Sequence, residues 1–227
     1  MTTQEPAENG ATWRDLAVAR SLDPARVRAE KRVQRFLDAA LELMSSSDTK
    51  DFTVQQVVER SGQSLRSFYQ YFAGKYELLL ALFEESIRTT AEHLAESIEG
   101  IDDPMDRLRT FLTEYFQICA PVTKGRTGKK GSPNPAAIAE FAQQLLTEHP
   151  REAAQAFSPL VDMLEQLLDE GARSGALRES LNRRRLAGVL LNEIMFNAFA
   201  STISGSPVRE GGGEELWDLV LHGIAAR

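Results

Sequence analysis

TVQQVVERSGQSLRSFYQYFAGKYELL, residues 53–79, decides the fold, because its local signals specify two short helices separated by only a few residues. Thr53 with Gln56 three residues on is a capping box, and Phe52 and Val57 occupy the two positions of a hydrophobic staple, so a helix starts at Thr53. Gly62 ends it as a left-handed residue just past the last turn. Ser64 then offers its hydroxyl as the N-cap of a second helix running to about Tyr71. Val54, Val57 and Val58 form one apolar stripe in the first helix, and Leu65, Phe68 and Phe72 form another in the second, so the two stripes are expected to pack together as a helix-turn-helix.

The face left outward on the second helix carries Gln63, Arg66, Ser67 and Gln70. Arg matches guanine O6 and N7 in bidentate fashion, Gln matches adenine N6 and N7, and Ser serves either, so Arg66, Ser67 and Gln70 are the expected base contacts. Tyr69, Tyr71 and Lys75 supply donors at the end of that helix and beyond it, where phosphates would lie, and Thr53, Ser64 and Arg28 complete the expected phosphate set.

Thr53, the Ser64–Tyr69 run, Tyr71-Phe72, Lys75 and Leu78-Leu79 together resemble the amino-terminal signature of the TetR family of transcriptional regulators. The likeness is close over about 50 residues and extends to the rest of the chain only in general layout. The chain departs from the commonest pattern at Arg66, where the family often has a small residue, and at Ala73-Gly74, where Pro-Ser or a similar pair is frequent. The family's usual base preference therefore does not carry over at Arg66.

Working outward, the 227-residue chain has a formal net charge of −7, which taken whole does not suggest a nucleic-acid binder. Its distribution does: residues 24–75 carry nine Lys/Arg against six Asp/Glu, residues 1–23 two against four, and residues 76–227 fifteen against twenty-three. A basic module joined to an acidic body points to DNA at one end and something else at the other. The single Cys119 excludes an internal disulfide and a cysteine-based zinc cluster and fits a reducing cytoplasm. No apolar run reaches a membrane span, and the start lacks a signal peptide's basic and apolar regions, so a cytoplasmic protein without membrane contact is expected.

Residues 1–22 read as a flexible arm with a short helix around Trp13 to Ala19, residues 23–74 as the DNA-binding domain, and residues 75–227 as the effector-binding and dimerisation domain. Asp23-Pro24 marks a helix start, with an apolar face from Val33 to Met44 and an end near Ser46. Arg26 and Arg28 then fall in its first turns, which the macrodipole disfavours for cations, so phosphate contact is their expected use, with Lys31 and Arg32 nearby. A long helix runs from Lys75 to Gly100, and Asp103-Pro104 starts another that stops near Pro121. Residues 121–135 form a basic, Gly- and Pro-rich loop, either a disordered tract or a lid. Helices follow from Asn134 to Thr147, from Pro150 to Ser174 with a bend or break at Ser158-Pro159 and glycines 171 and 175 at its end, from Asn182 to Thr202, and from Glu214 to Ile224. The fold class is all-α with about nine helices.

The Asn182–Thr202 helix is apolar almost all round and must be covered on more than one side. The last two helices are expected to be antiparallel neighbours, and the resemblance implies that with a second subunit they form the contact of a homodimer, through Leu190, Ile194, Phe199, Trp217, Val220 and Ile224. Surplus apolar side chains in the body offer a lining for a small hydrophobic effector: Phe111, Tyr115, Phe141, Met163, Leu167 and Phe196, with Asn192 to orient it. His93, His149 and His222 have no partner at ligand spacing, Cys119 has no basic neighbour to activate it, and no nucleophile elbow is present, so neither metal, cofactor nor enzymatic activity is expected. The reading is a ligand-responsive regulator, most simply a repressor, binding a pseudo-palindromic operator of double-stranded DNA. The other reading is a helical interaction module whose helix-turn-helix serves packing alone.

Overall fold

The computed structural model of the chain describes residues 13–45, 52–120, 135–204 and 211–224. Its helices are α1 (Trp13–Ser45), α2 (Val54–Ser61), α3 (Leu65–Tyr69), α4 (Lys75–Ile98), α5 (Pro104–Cys119), α6 (Pro135–Glu148), α7 (Pro150–Arg173), α8 (Arg183–Ser204) and α9 (Gly212–Ile224), with no strand among the described residues. The basic loop expected at 121–135 lies almost wholly outside the described residues.

The capping box at the start of α2 forms in both directions. Thr53 Oγ1 accepts from the Gln56 backbone N–H at 3.3 Å, and Gln56 Oε1 accepts from the Thr53 backbone N–H at 2.8 Å. Gly62 ends α2 at φ 65°, a conformation costly for any residue with a Cβ. Ser64 Oγ accepts from the Ser67 N–H at 3.1 Å and so starts α3. Phe68 and Phe72 turn inward against Phe36 of α1, with ring centroids 5.4 and 6.2 Å away and nearly perpendicular planes. These rings, with Phe52, Val57, Val58 and the apolar face of α1, make the core of the head.

Leu65 departs from the expected stripe. It lies 44% exposed beside the buried Phe68, at the first position of so short a helix.

Three further expectations yield to helix continuity. α1 begins at Trp13 and passes through Pro24, so no helix starts at Asp23-Pro24 and Arg26 and Arg28 stand in mid-helix, where no terminal dipole opposes them. Arg26 spends its charge on Glu30 at 2.8 Å. α7 likewise runs unbroken through Pro159. The missing donor there would have served the Gln155 carbonyl, and Ser158 Oγ donates to that oxygen at 2.8 Å instead, which removes much of the cost of proline. Gly175, at φ 79°, does follow the end of α7, but Gly171 lies buried inside the helix for a different reason. A Cβ on it would come within 2.8 Å of Leu177 Cδ1.

α4 joins the two halves. Leu78 and Leu82 belong to the head core, whereas Phe83, Ile87, Leu94 and Ile98 belong to a second, larger core with α5–α9. Leu82 and Phe83 are consecutive, so one turn of one helix is shared between two cores. At the head end of α4, Tyr76 stacks on His149 at the α6–α7 corner with centroids 4.5 Å apart.

α8 packs chiefly on α7 and α9 chiefly on α5, so the two are not each other's main neighbours within the chain. Leu190, Ile194, Trp217, Val220 and Ile224, expected at a subunit contact, are instead buried in the body core of the single chain. They cover the inward faces; the side chain of Phe199 lies outside the described residues. The outward faces of α8 and α9 show Val189 at 49%, Phe196 at 56% and Leu219 at 73% exposure.

Candidate nucleic-acid interface

Arg66 and Gln70, four residues apart at the outward face of α3, stand exposed on the side opposite Phe68. Gln63 Nε2 donates to the Arg32 backbone carbonyl at 2.8 Å and ties the turn before α3 to α1. The two helices thereby enclose an open depression of about 340 Å³ lined by Arg32 and Arg35 from α1 and by Gln63, Ser64, Arg66, Ser67 and Gln70 from the turn and α3. Three guanidinium groups edge it and no carboxylate does. Among the described residues, none of Arg28, Arg32, Arg35 or Arg66 forms an ion pair, although the head's other arginines do, Arg26 with Glu30 and Arg60 with Glu42.

Of the expected base contacts, Arg66, Ser67 and Gln70 all line this depression. The Ser67 hydroxyl oxygen, however, is buried and has no hydrogen-bond partner, so it is turned away from open solvent. Among the expected phosphate contacts, Ser64 lines the depression too; its oxygen accepts the capping bond and its proton remains to donate. The Thr53 hydroxyl is occupied on both sides, accepting from Gln56 N and donating to Gln56 Oε1 at 3.2 Å. Tyr69 is 56% exposed, Tyr71 is half-buried against the head core, and Lys75 Nζ lies 4.6 Å above the Phe52 ring at the start of α4. These three stand apart from the depression, as does the exposed Arg28.

Arg35 was not singled out from the sequence, and Arg32 only as a neighbour of Arg28. The signal was present: residues 28, 32 and 35 recur at i, i+4, i+7 and share one stripe of α1.

In the body, Phe111, Tyr115, Phe141 and Leu167 are buried in one cluster with Met163 packed beside them. Burial pushes the Cys119 thiol up to about 11 and the Tyr115 phenol well above its ordinary value, so this neighbouring pair holds its protons at neutral pH. Asn192 and Phe196 do not join that cluster as a pocket lining would require; both are exposed on α8. Among the described residues, no helix is long and apolar enough to cross a membrane.

Residues 36–82 match the family described as bacterial regulatory proteins, tetR family. The fatty acid metabolism regulator protein of Bacillus subtilis (strain 168) is 21% identical over 174 residues, 76% of this chain and 82% of that protein. Among solved structures, the transcriptional regulator FadR from Bacillus subtilis in complex with stearoyl-CoA is similar in fold, with a TM-score of 0.68 at 20% identity over 84% of this chain and 98% of its own. The fatty acid degradation regulator FadR from Bacillus halodurans gives 0.65 at 17% identity over 84% and 94%. The matched segment covers the hairpin that carries Arg66 and Gln70 together with the parts of α1 and α4 that pack on it, so it is the head of this chain that matches the amino-terminal module of the TetR family of bacterial regulatory proteins.

Proposed function

We propose that the chain is a ligand-responsive repressor that binds a pseudo-palindromic operator as a homodimer and releases it when a hydrophobic molecule enters the body. The observation that carries the DNA end is the face of α1 and α3, where Arg32, Arg35 and Arg66 stand without carboxylates around an open depression. Arg66 and Gln70 read base edges, and Arg28, Ser64, Tyr69, Tyr71 and Lys75 hold phosphates, joined by Arg32 and Arg35. Val189, Phe196 and Leu219 on the outer faces of α8 and α9 provide the apolar surface for a second copy.

The effector is an apolar molecule that opens the core around Phe111, Tyr115, Phe141 and Leu167. The stearoyl-CoA held by the Bacillus subtilis FadR makes long acyl compounds the first class to try. Because Leu82 and Phe83 lie in different cores on one helix, a shift of α4 against the body carries the head with it, and a few kcal/mol of differential affinity between two head separations suffices for release.

The test is fluorescence anisotropy of the full-length chain on duplexes selected from a randomised pool, titrated at several salt concentrations. With about four phosphates neutralised per subunit, log K should fall against log salt with a slope near −7, from about 0.9 per phosphate. Arg66→Ala should cost about 1–3 kcal/mol at one base pair of each half-site, and Lys75→Ala should weaken all sequences alike. Recovery of no preferred sequence would leave the helical interaction module as the reading. Long-chain fatty acids and acyl-CoA should each be added to the complex; an effector that neither releases DNA nor raises the melting temperature is not the ligand.

A further inference from the structure

The large apolar side chains exposed on the described surface fall mainly into two groups: Val189, Phe196 and Leu219 on the body, and Leu65 with Tyr69 on α3. An exposed leucine is ordinary by itself. The setting of Leu65 is not, because it stands on the outer surface of the helix that carries Arg66 and Gln70, next to a depression lined by three arginines.

α3 is divided lengthwise. Phe68 forms its buried side, Arg66 and Gln70 its outermost edge, and Leu65 with Tyr69, four residues apart, an apolar and aromatic flank beside that edge. In the major groove the only apolar group among the base edges is the 5-methyl of thymine, which lies beside the hydrogen-bonding atoms that an arginine or glutamine reads. A leucine adjoining such an edge is therefore complementary to a thymine next to the base pair that Arg66 contacts.

We propose that Leu65 is a specificity-determining residue that meets a thymine methyl in each half-site. This rests on the DNA-binding reading above and adds to it the identity of one base. It also accounts for the failure of Leu65 to join the head core: its apolar surface is used in the complex rather than in folding.

The experiment replaces each thymine of a duplex selected by the full-length chain, one at a time, with deoxyuridine, which removes the methyl group and nothing else. One position per half-site should weaken wild-type binding about three- to fivefold, the size expected for one buried methyl. Leu65→Ala should bind thymine and deoxyuridine alike at that position, and Leu65→Met, which keeps an apolar side chain, should retain the preference. A scan with no sensitive thymine, or one in which Leu65→Ala shows the same loss as the wild type, overturns the assignment while leaving DNA binding intact. If Leu65→Ala instead unfolds the head by circular dichroism, Leu65 is a core residue and the inference fails. If no duplex is selected at all, the DNA reading falls first and this inference with it.

Discussion

One face of the head and the seams between body helices use arginine in opposite ways. On the outer face of the head, Arg28, Arg32, Arg35 and Arg66 stand without carboxylate partners among the described residues. In the body, Arg107 of α5 reaches Glu170 of α7 at 2.6 Å, Arg109 of α5 reaches Glu214 of α9 at 2.6 Å, and Arg184 of α8 reaches Asp162 and Glu165 of α7 at 2.9 and 2.7 Å. These three arginines fasten one helix to another. An exposed pair such as Arg109–Glu214 contributes only about 0–1 kcal/mol, so it sets register more than it stabilises, whereas Arg107–Glu170 is partly buried. A head face that gathers Arg32, Arg35 and Arg66 around one depression lined by no carboxylate is suited to an anion from outside.

The two regions are also packed separately, and the sharpest way to break the comparison is to empty one core. Phe36 is fully buried and meets both Phe68 and Phe72, so Phe36→Ala should cost the head about 3–5 kcal/mol. In a Trp13→Phe background, the fluorescence of Trp217 reports the body alone while circular dichroism reports both regions. Denaturation should show an early helical transition that leaves the Trp217 transition unmoved. If both probes shift together, the turn shared by Leu82 and Phe83 couples the cores into one cooperative unit, and head and body are one folding domain.

The second test separates inward from outward faces of the carboxy-terminal helices. Leu219→Glu, together with Val189→Glu, alters residues that the single chain leaves exposed, so the subunit should stay folded while the dimer loses at least about 2 kcal/mol of association energy, as for a central interface residue. Sedimentation would show monomers with an unchanged melting curve for the monomer fold. Trp217→Glu places a charge in the body core and should unfold the subunit as well. A Leu219/Val189 variant that still sediments as a dimer would move the subunit contact away from these helices.

A smaller effect is expected at Gly171. Gly171→Ala drives a Cβ to within 2.8 Å of Leu177 Cδ1 and 3.4 Å of Met105 Sδ, an overpacking worth about 1–3 kcal/mol, read as a fall in the Trp217 transition with the head unaffected.

How much of each region was legible in the sequence follows from the range of the interactions that make it. Thr53, Gly62 and Ser64 act on backbone groups within a few residues, and the head hairpin could be read from them almost residue by residue. Long helices were legible in number and approximate extent, since an apolar stripe needs only its own segment. Pro24 and Pro159 leave their helices unbroken, because breaking a helix depends on what replaces the lost bond, and at Pro159 the Ser158 hydroxyl serves the freed carbonyl. Faces were legible only where one stripe was apolar. α8 is apolar nearly all round, so nothing local told Leu190 and Ile194, turned into the core, from Val189 and Phe196, turned out of it. The pocket suffered in the same way: Asn192 and Phe196 were grouped with Phe111 and Leu167 by composition, while their placement was decided by α5 and α7, far away in sequence.

The smallest effect tests whether local chemistry really governs the head. Thr53→Ala removes the hydroxyl that accepts from the Gln56 N–H, and with it the anchor that holds the Gln56 side chain over the Thr53 N–H. The loss expected for an N-cap is about 1 kcal/mol, within a range of roughly 0.5–2. Because Phe52 and Val57 still pack in the head core on either side of the cap, the start of α2 keeps its place and only its fraying increases. Thr53→Ser preserves the accepting oxygen and should recover most of the stability. Hydrogen exchange would then be faster at the first amides of α2 in the alanine variant alone, with the amides of α3 and the affinity for DNA little changed. If affinity instead falls severalfold in Thr53→Ala while exchange and melting stay as in the wild type, the Thr53 hydroxyl gives up Gln56 to contact a phosphate in the complex. The cap would then be a resting state of the DNA-binding surface rather than only a support for it.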